Sequence, residues 1–305
     1  MRRRDDDRVD AAPLPADAEP ADALSAEALP ADALRRRLVA PAGPLPRLVV
    51  VDRTGSTNDD VLAGLRDDPD AWPTGALLLA DHQTAGHGRQ GRTWVSAPRT
   101  SLTGTFVVRP VPGSGGLGWL PLVVGLGLVR ALRAAAGVQA WLKWPNDVLV
   151  DQPGERGPAA RRKVAGILAQ TTPDGAAVAV GVGLNVTQRA DQLPVPTATS
   201  LALTGDLHRP ETGSPSICTD RSELLVATVT ALAEVVGRWC AGGAGLADEV
   251  AQVCPTLGSQ VRVDLPGGAA LVGRAVRLAD DGALVVVDPG GEHTVRAGDV
   301  VHLVT

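Results

Sequence analysis

Residues 82–94 read His-Gln-Thr-Ala-Gly-His-Gly-Arg-Gln-Gly-Arg-Thr-Trp, and Gly86-His87-Gly88-Arg89-Gln90-Gly91 inside them matches GxGxxG. The choice of fold turns on this match. In a dinucleotide-binding βαβ unit the glycine run opens a helix, and an acidic residue comes about 20 positions later. A strand is predicted just before it, over Gly75–Asp81. The next segment, Arg92-Thr93-Trp94-Val95-Ser96-Ala97-Pro98, has no helical period, and the next acid is Asp147. Both facts argue against a dinucleotide fold. A kinase-type loop fails too, because the rest of that signature set is missing. The chemistry of the loop remains. Glycines let the backbone approach a ligand and expose N–H groups. Arg89 and Arg92 add forked donors suited to phosphate.

Around this loop the hydrophobic pattern predicts a strand at Leu48–Asp52 and a helix at Thr57–Leu65. Ser56 or Thr57 is its N-cap, and Asp59 and Asp60 lie in its first turn. A strand at Leu102–Arg109 and a largely apolar, buried helix at Leu117–Ala135 come after the loop. Short strands are next, at Ala140–Trp144, Val148–Asp151, Val164–Thr171 and Ala177–Val186. One buried helix among several strands implies an α+β mixed-sheet domain and not a regular βαβ wind. Ser222–Cys240 and the region of Leu246–Val253 are amphipathic helices. Five short strands then run from Gln260 to Val304, separated by Gly-containing turns, and suggest a small SH3-like β-barrel. The expected division is a mostly disordered Ala/Pro/Asp-rich tail over 1–46, a catalytic domain over 47–255 and the small domain over 256–305. Within the tail, prolines at 13, 15, 20, 30, 41, 44 and 46 leave room for one short helix near Asp32–Val39.

The net charge of −5 carries no polyanion-binding signature over the 305-residue chain. From His82 to Asn146, however, there is no Asp or Glu, while Arg89, Arg92, Arg99, Arg109, Arg130, Arg133 and Lys143 all fall there. Such a segment offers a positive field to a small anion such as a nucleotide phosphate. Cys218, Cys240 and Cys254 lack CxxC spacing and fit a reduced compartment. With no secretory signal, and an apolar run (Leu117 to Val129) too short to span a bilayer, a cytoplasmic location is expected. Only two of the 29 basic residues are lysines, Lys143 and Lys163. A lysine left in so arginine-biased a chain is a candidate for work that needs a compact point charge.

Five motifs occur in order: Gly-Ser-Thr-Asn (55–58), the 82–94 loop, Lys-Trp-Pro-Asn-Asp (143–147), Lys-Val-Ala-Gly-Ile-Leu (163–168) and Gly-Val-Gly-Leu-Asn-Val (181–186). Together they strongly resemble biotin protein ligase, also called biotin–[acetyl-CoA-carboxylase] ligase, over roughly residues 47–305. The resemblance implies activation of biotin by ATP, with Mg²⁺, to biotinyl-5′-AMP. Biotin then passes to a lysine of a biotin carboxyl carrier protein domain of acyl-CoA carboxylases. It implies that Ser56, Thr57, Asn58 and Gln83 meet the biotin head, and that Gly86, His87, Gly88 and Arg89 wrap the carboxylate and α-phosphate through backbone N–H groups and the Arg89 fork. It puts Arg92, Trp94 and Lys143 at the nucleotide, with Trp94 stacking on or walling the adenine. Lys163 bridges carboxylate and α-phosphate. Asn146 and Asn185 position phosphates or Mg²⁺, with any metal carried by ATP near Asn185. Asp147 either deprotonates the carrier lysine or orients its neighbours. Gly166, Gly181 and Gly183 leave room for the ligand or act as strand bulges.

The family loop usually reads Gly-Arg-Gly-Arg, and His87 here removes a permanent charge. The DNA-binding domain of some relatives is not expected, so no nucleic-acid or membrane partner is implied, and a homodimer is compatible. The nearest rival is a lipoate–protein ligase with analogous adenylate chemistry. An octanoyl transferase with a Cys nucleophile is disfavoured because no Cys precedes Cys218. A biotin-sensing regulator without catalysis lacks its DNA module, and a biotin acceptor lacks the methionines that flank its lysine.

Overall fold

The computed structural model describes residues 27–152, 160–205 and 218–303. Most of the expected tail (1–26) and the end of the last expected strand (304) lie outside them.

A mixed sheet carries the molecule. Its strands are β1 (Leu48–Thr54) and β2 (Leu77–Gln83), then, after a two-residue hairpin β3 (Gly86–His87)/β4 (Thr93–Trp94), β5 (Ser101–Val108), β6 (Ala140–Lys143), β7 (Asp147–Asp151), β8 (Arg161–Thr171) and β9 (Val178–Asn185). The spatial order is β1-β2-β5-β9-β8-β7-β6. Only β1 and β2 run parallel; every other neighbouring pair is antiparallel. The central strands are buried on both faces, so they read as near-continuous apolar runs. Leu77 and Leu79 face one side with Val108 and Val180, while Leu78, Val107 and Ala179 face the other.

On the first face lie α3 (Leu120–Ala131) and α5 (Arg221–Cys240), with α6 (Leu246–Val253) behind them. A single tight turn precedes α3 and a wider turn, Leu132–Ala136, extends it. The whole stretch Leu117–Ala136 is long and apolar enough to cross a membrane, which corrects the expectation drawn from the shorter run 117–129. Leu120, Leu122, Val123, Leu128 and Val129 are fully buried in protein, however, so this is the core helix. The second face receives α2 (Thr57–Asp67), whose Val61 and Leu65 pack on Leu78 and Val107. Ser56 caps α2 by accepting from the Asp59 amide.

The expected tail is corrected at its C-terminal end. The short helix expected near Asp32–Val39 forms as α1 (Ala31–Leu38), but the segment is ordered, with Leu29, Leu34, Leu38 and Leu45 buried in the main core. A buried ion pair fastens the start of this segment. Arg221 Nη1 lies 2.7 Å from Asp81 Oδ1, Asp81 Oδ2 accepts from the Leu29 amide, and Arg221 Nη2 donates to the Glu27 carbonyl.

The C-terminal strands are β10 (Gln260–Asp264), β11 (Ala270–Leu278), β12 (Leu284–Asp288), β13 (Gly291–Val295) and β14 (Asp299–His302). They form an antiparallel sheet in the order β13-β12-β11-β10-β14. The fold is α+β with a small SH3-like domain, but hydrogen bonding does not close this sheet into a barrel. Its buried residues Val261, Val263, Ala275 and Leu284 join the same core as α3 and α5. Trp119 and Trp144 both donate from their indole nitrogens into the β11–β12 turn, to the carbonyls of Asp280 and Gly282.

Candidate active site

The site lies on the α2 face of the sheet, where β5 and β9 change character. Ser101, Thr103 and Thr105 alternate along β5 on the same side as Val107. They are buried, and so are Thr57, Asn58 and Gln83. Gln83 Oε1 accepts from the Thr57 amide at 2.7 Å and from the Thr57 hydroxyl at 2.9 Å. Thr105 Oγ1 lies 2.6 Å from Asn58 Oδ1 and 2.8 Å from Thr57 Oγ1. Asn58 donates in turn to the Leu168 carbonyl and to Gln170 Oε1. Asn58 is thereby engaged on both its oxygen and its nitrogen as a brace. Thr57, Gln83 and Thr105 form a buried neutral donor–acceptor cluster. Thr105 and Gln170 were not singled out from the sequence. The polar Ser101-x-Thr103-x-Thr105 alternation in a central strand was the available signal.

The glycine loop is a tight hairpin. Gly86 pairs with Trp94 and His87 with Thr93. Gln90 (φ 55°) and Gly91 (φ 74°) take left-handed conformations at its tip, which favours glycine at 91. The Gly88 amide donates to the Arg92 carbonyl at 2.6 Å, so this N–H is spent inside the hairpin. That corrects the expectation that it faces a ligand. The His87 side chain points away as well. Its Nε2 sits 2.8 Å from Asp59 Oδ2 on α2, with both side chains about half exposed. Position 87 therefore contributes backbone to the loop.

Arg89 turns inward. Its Nη1 donates to Asn146 Oδ1 at 3.2 Å and to the Gly298 carbonyl at 3.3 Å, and Asp299 lies 3.8 Å away. Burial pulls the Arg89 pKa down, against the opposing pull of Asp299 and Asp147. Arg92 makes a two-point contact with the Asp299 carboxylate at 2.9 and 3.0 Å. The C-terminal sheet thus holds both loop arginines, which no local pattern announced.

Lys163 and Asp147 meet across β7 and β8, with Nζ 2.6 Å from Oδ1 and both partly exposed. Lys163 also lies 5.8 Å from the centre of the Trp94 ring. Lys143 is half-buried, and desolvation pulls its pKa below the usual lysine value. Asp147 opposes that shift, whereas Lys163 adds to it. Lys143, Asp147, Lys163, Arg89 and Arg92 therefore share one electrostatic neighbourhood.

The glycines of β8 and β9 open space for side chains of the site. A Cβ on Gly183 would stand 2.5 Å from the Trp94 ring, and one on Gly166 would stand 3.3 Å from it. A Cβ on Gly181 would collide with the Asn58 amide oxygen. Gly166 and Gly183 are paired in register, so together they form the floor beneath the indole. The Trp94 Nε1–H is buried without a hydrogen-bond partner. A buried donor left unsatisfied costs about 1–3 kcal/mol, which a ligand acceptor at that point would recover.

Asn185 does not fit the role of metal ligand. Its amide donates to the Thr199 carbonyl, and its oxygen accepts from Gln188 Nε2, all within a buried network. Asn146 is similarly engaged, donating to the Ile167 carbonyl while holding Arg89. Among the described residues no group of three or more His, Cys, Asp or Glu side chains could hold a metal ion. The donor set present is one for anions.

Residues 50–186 match the Biotin/lipoate A/B protein ligase family, and residues 256–303 match the Biotin protein ligase C terminal domain. The chain is 38% identical over 275 residues to a biotin–[acetyl-CoA-carboxylase] ligase of Mycobacterium tuberculosis, covering 88% of this chain and 94% of the relative. It is 35% identical to the protein of the same name from Paracoccus denitrificans, covering 81% and 97%. Among solved structures, a biotin protein ligase from Aquifex aeolicus in complex with biotin and ATP superposes with a TM-score of 0.65. The identity there is 26%, covering 85% of this chain and 99% of that one.

Proposed function

We infer the reaction from one premise: the chain belongs to the biotin–[acetyl-CoA-carboxylase] ligase family. It is an ATP-dependent ligase that activates biotin to biotinyl-5′-AMP and transfers biotin to a lysine of an acetyl-CoA carboxylase carrier domain. We propose a division of labour among its residues, carried by one observation, the joint placement of Arg89, Lys163 and Asp147 beside a buried neutral polar cluster.

In the first step a biotin carboxylate oxygen attacks the α-phosphorus and pyrophosphate leaves. Carboxylate and phosphate repel each other, so preorganised cations between them lower the barrier. The Lys163 ammonium, released from Asp147 as the anions arrive, bridges them as a point charge. The Arg89 fork holds the phosphate oxygens, and Lys143 and Arg92 face the polyphosphate. The engaged Asn185 carboxamide is not free to ligate a metal, so any Mg²⁺ would be held by the ATP phosphates and would there offset their charge. Once Lys163 has turned to the adenylate, the Asp147 carboxylate is placed to take a proton from the carrier lysine. The free amine attacks the mixed anhydride carbonyl and AMP departs. Ser56, Thr57, Gln83 and Thr105 form the pocket for the ureido head, with Asn58 bracing it. That cluster also favours biotin over lipoate. A ureido ring can exchange hydrogen bonds with such a cluster, whereas a dithiolane offers only weak sulfur acceptors to it.

Residues 47–255 do the chemistry in this reading, and 256–305 cover the nucleotide end. The working location is the cytoplasm, without nucleic-acid or membrane partners, and carriers of other acyl-CoA carboxylases are further substrates. Whether two copies associate is read by light scattering with and without biotin and ATP. The reaction is tested by ATP–pyrophosphate exchange run in parallel with biotin, lipoate and octanoate. Exchange with biotin alone is expected; equal exchange with lipoate overturns the assignment.

A further inference from the structure

The Lys143–Asp147 turn supplies Asn146 to Arg89 and Asp147 to Lys163, yet it is itself held from outside the catalytic sheet. The Trp144 backbone N–H donates to Thr256 Oγ1 at 3.2 Å, and Thr256 Oγ1 lies 3.1 Å from His302 Nε2. Trp144 and Thr256 are buried, at 2% and 0% exposure. A hydroxyl has one proton. With one of its two lone pairs taken by the Trp144 N–H, the Thr256 hydroxyl still has a proton and a second lone pair with which to meet His302 Nε2, and the ring tautomer sets the direction. Burial, with Lys143 and Arg161 nearby, pulls the His302 pKa down to about 4, which favours the neutral ring. The Trp144 indole is fixed at its other end by the Gly282 carbonyl. Two groups of the C-terminal part thus grip one residue of the turn.

We propose that Thr256 and His302 are positioning residues for the nucleotide end of the site, acting through Trp144 on Asn146–Arg89 and Asp147–Lys163. This rests on the ligase reading. The alternative is plain packing of two domains, which would affect stability without singling out ATP. On the relay, loss of the Thr256 hydroxyl lets the turn drift and misplaces both cations, while the biotin head cluster on β2, β5 and α2 is untouched.

The test uses the full chain and biotin-dependent ATP–pyrophosphate exchange, comparing Thr256→Val with Thr256→Ser. Thr256→Val should raise KM for ATP roughly tenfold, about the worth of one hydrogen bond, with a clearly smaller rise in KM for biotin, which keeps its head cluster and shares only Lys163. Thr256→Ser, which keeps the hydroxyl, should restore both. If Thr256→Val does not fold, His302→Leu against His302→Gln supplies the same comparison, because the Gln carboxamide can donate or accept. Unchanged KM for ATP, or equal rises for ATP and biotin, overturns the relay even if thermal stability falls. No exchange by the unmutated enzyme would instead overturn the ligase reading.

Discussion

Lys163 and Lys143 are chemically alike and do different things because of what surrounds them. Lys163 is partly exposed and paired with Asp147 at 2.6 Å, so its ammonium is poised and can be handed to an incoming anion. Replacing it by Ala should abolish biotinyl-AMP formation with the fold retained. Arg should fail to rescue, because a planar fork cannot serve two anions from the same point. Near-normal exchange in Lys163→Ala, measured beside an unchanged circular dichroism spectrum, would remove it from the chemistry. Lys143 is half-buried, and desolvation pulls its pKa down, so it gives up its proton at a lower pH than an exposed lysine does. Phosphate binding needs that proton. KM for ATP should therefore begin to climb at a pH below the ordinary lysine range, and Lys143→Met should flatten the climb. The scarcity of lysine singled out both residues in the sequence. The desolvation of Lys143, and the opposing charges of Asp147 and Asp299, come from tertiary packing that a linear reading does not weigh.

At the scale of elements, the floor of the site is a register effect. Gly166 and Gly183 face each other on β8 and β9, and only their missing side chains let the Trp94 indole lie flat on the sheet. Gly183→Ala places a methyl 2.5 Å from the ring. It should displace Trp94, cut exchange at least tenfold and shift the tryptophan fluorescence, at a small cost in melting temperature; full activity would separate the indole from the site. Strand and helix positions were legible from period and turn chemistry. Leu120–Ala131, Ala270–Leu278 and the short β6 and β7 lie where the pattern put them. The glycines were legible only as motif members. Their function is to admit Trp94 and Asn58, and that emerges only once β8 is paired with β9. The Gly88 amide shows the same limit, since its partner is the Arg92 carbonyl across a hairpin.

Among the described residues one large core runs from α1 through α3 and α5 into the C-terminal sheet, and a smaller one lies under α2. The N-terminal segment belongs to the large core, because Leu34 and Leu38 of α1 are each 1% exposed. Leu34→Ala should destabilise by about 2–5 kcal/mol, read as a lower urea midpoint with kcat unchanged; no loss of stability would mean that α1 is peripheral. The Asp81–Arg221 pair works in the same region, and removing either charge alone strands the other in a buried place. From the C-terminal sheet, β14 and its preceding turn supply Gly298 and Asp299 to Arg89 and Arg92. By itself the sequence determined the α+β class, the small C-terminal domain and the family. These are properties of local period, turn chemistry and ordered motifs. Only the tertiary structure decided that α1 is core, that His87 faces Asp59, that Asn185 is engaged in a buried network and that the C-terminal sheet orients the loop arginines. Each of these depends on a contact between distant residues, and the direction of a side chain is set by what packs beside it and not by its neighbours in the chain.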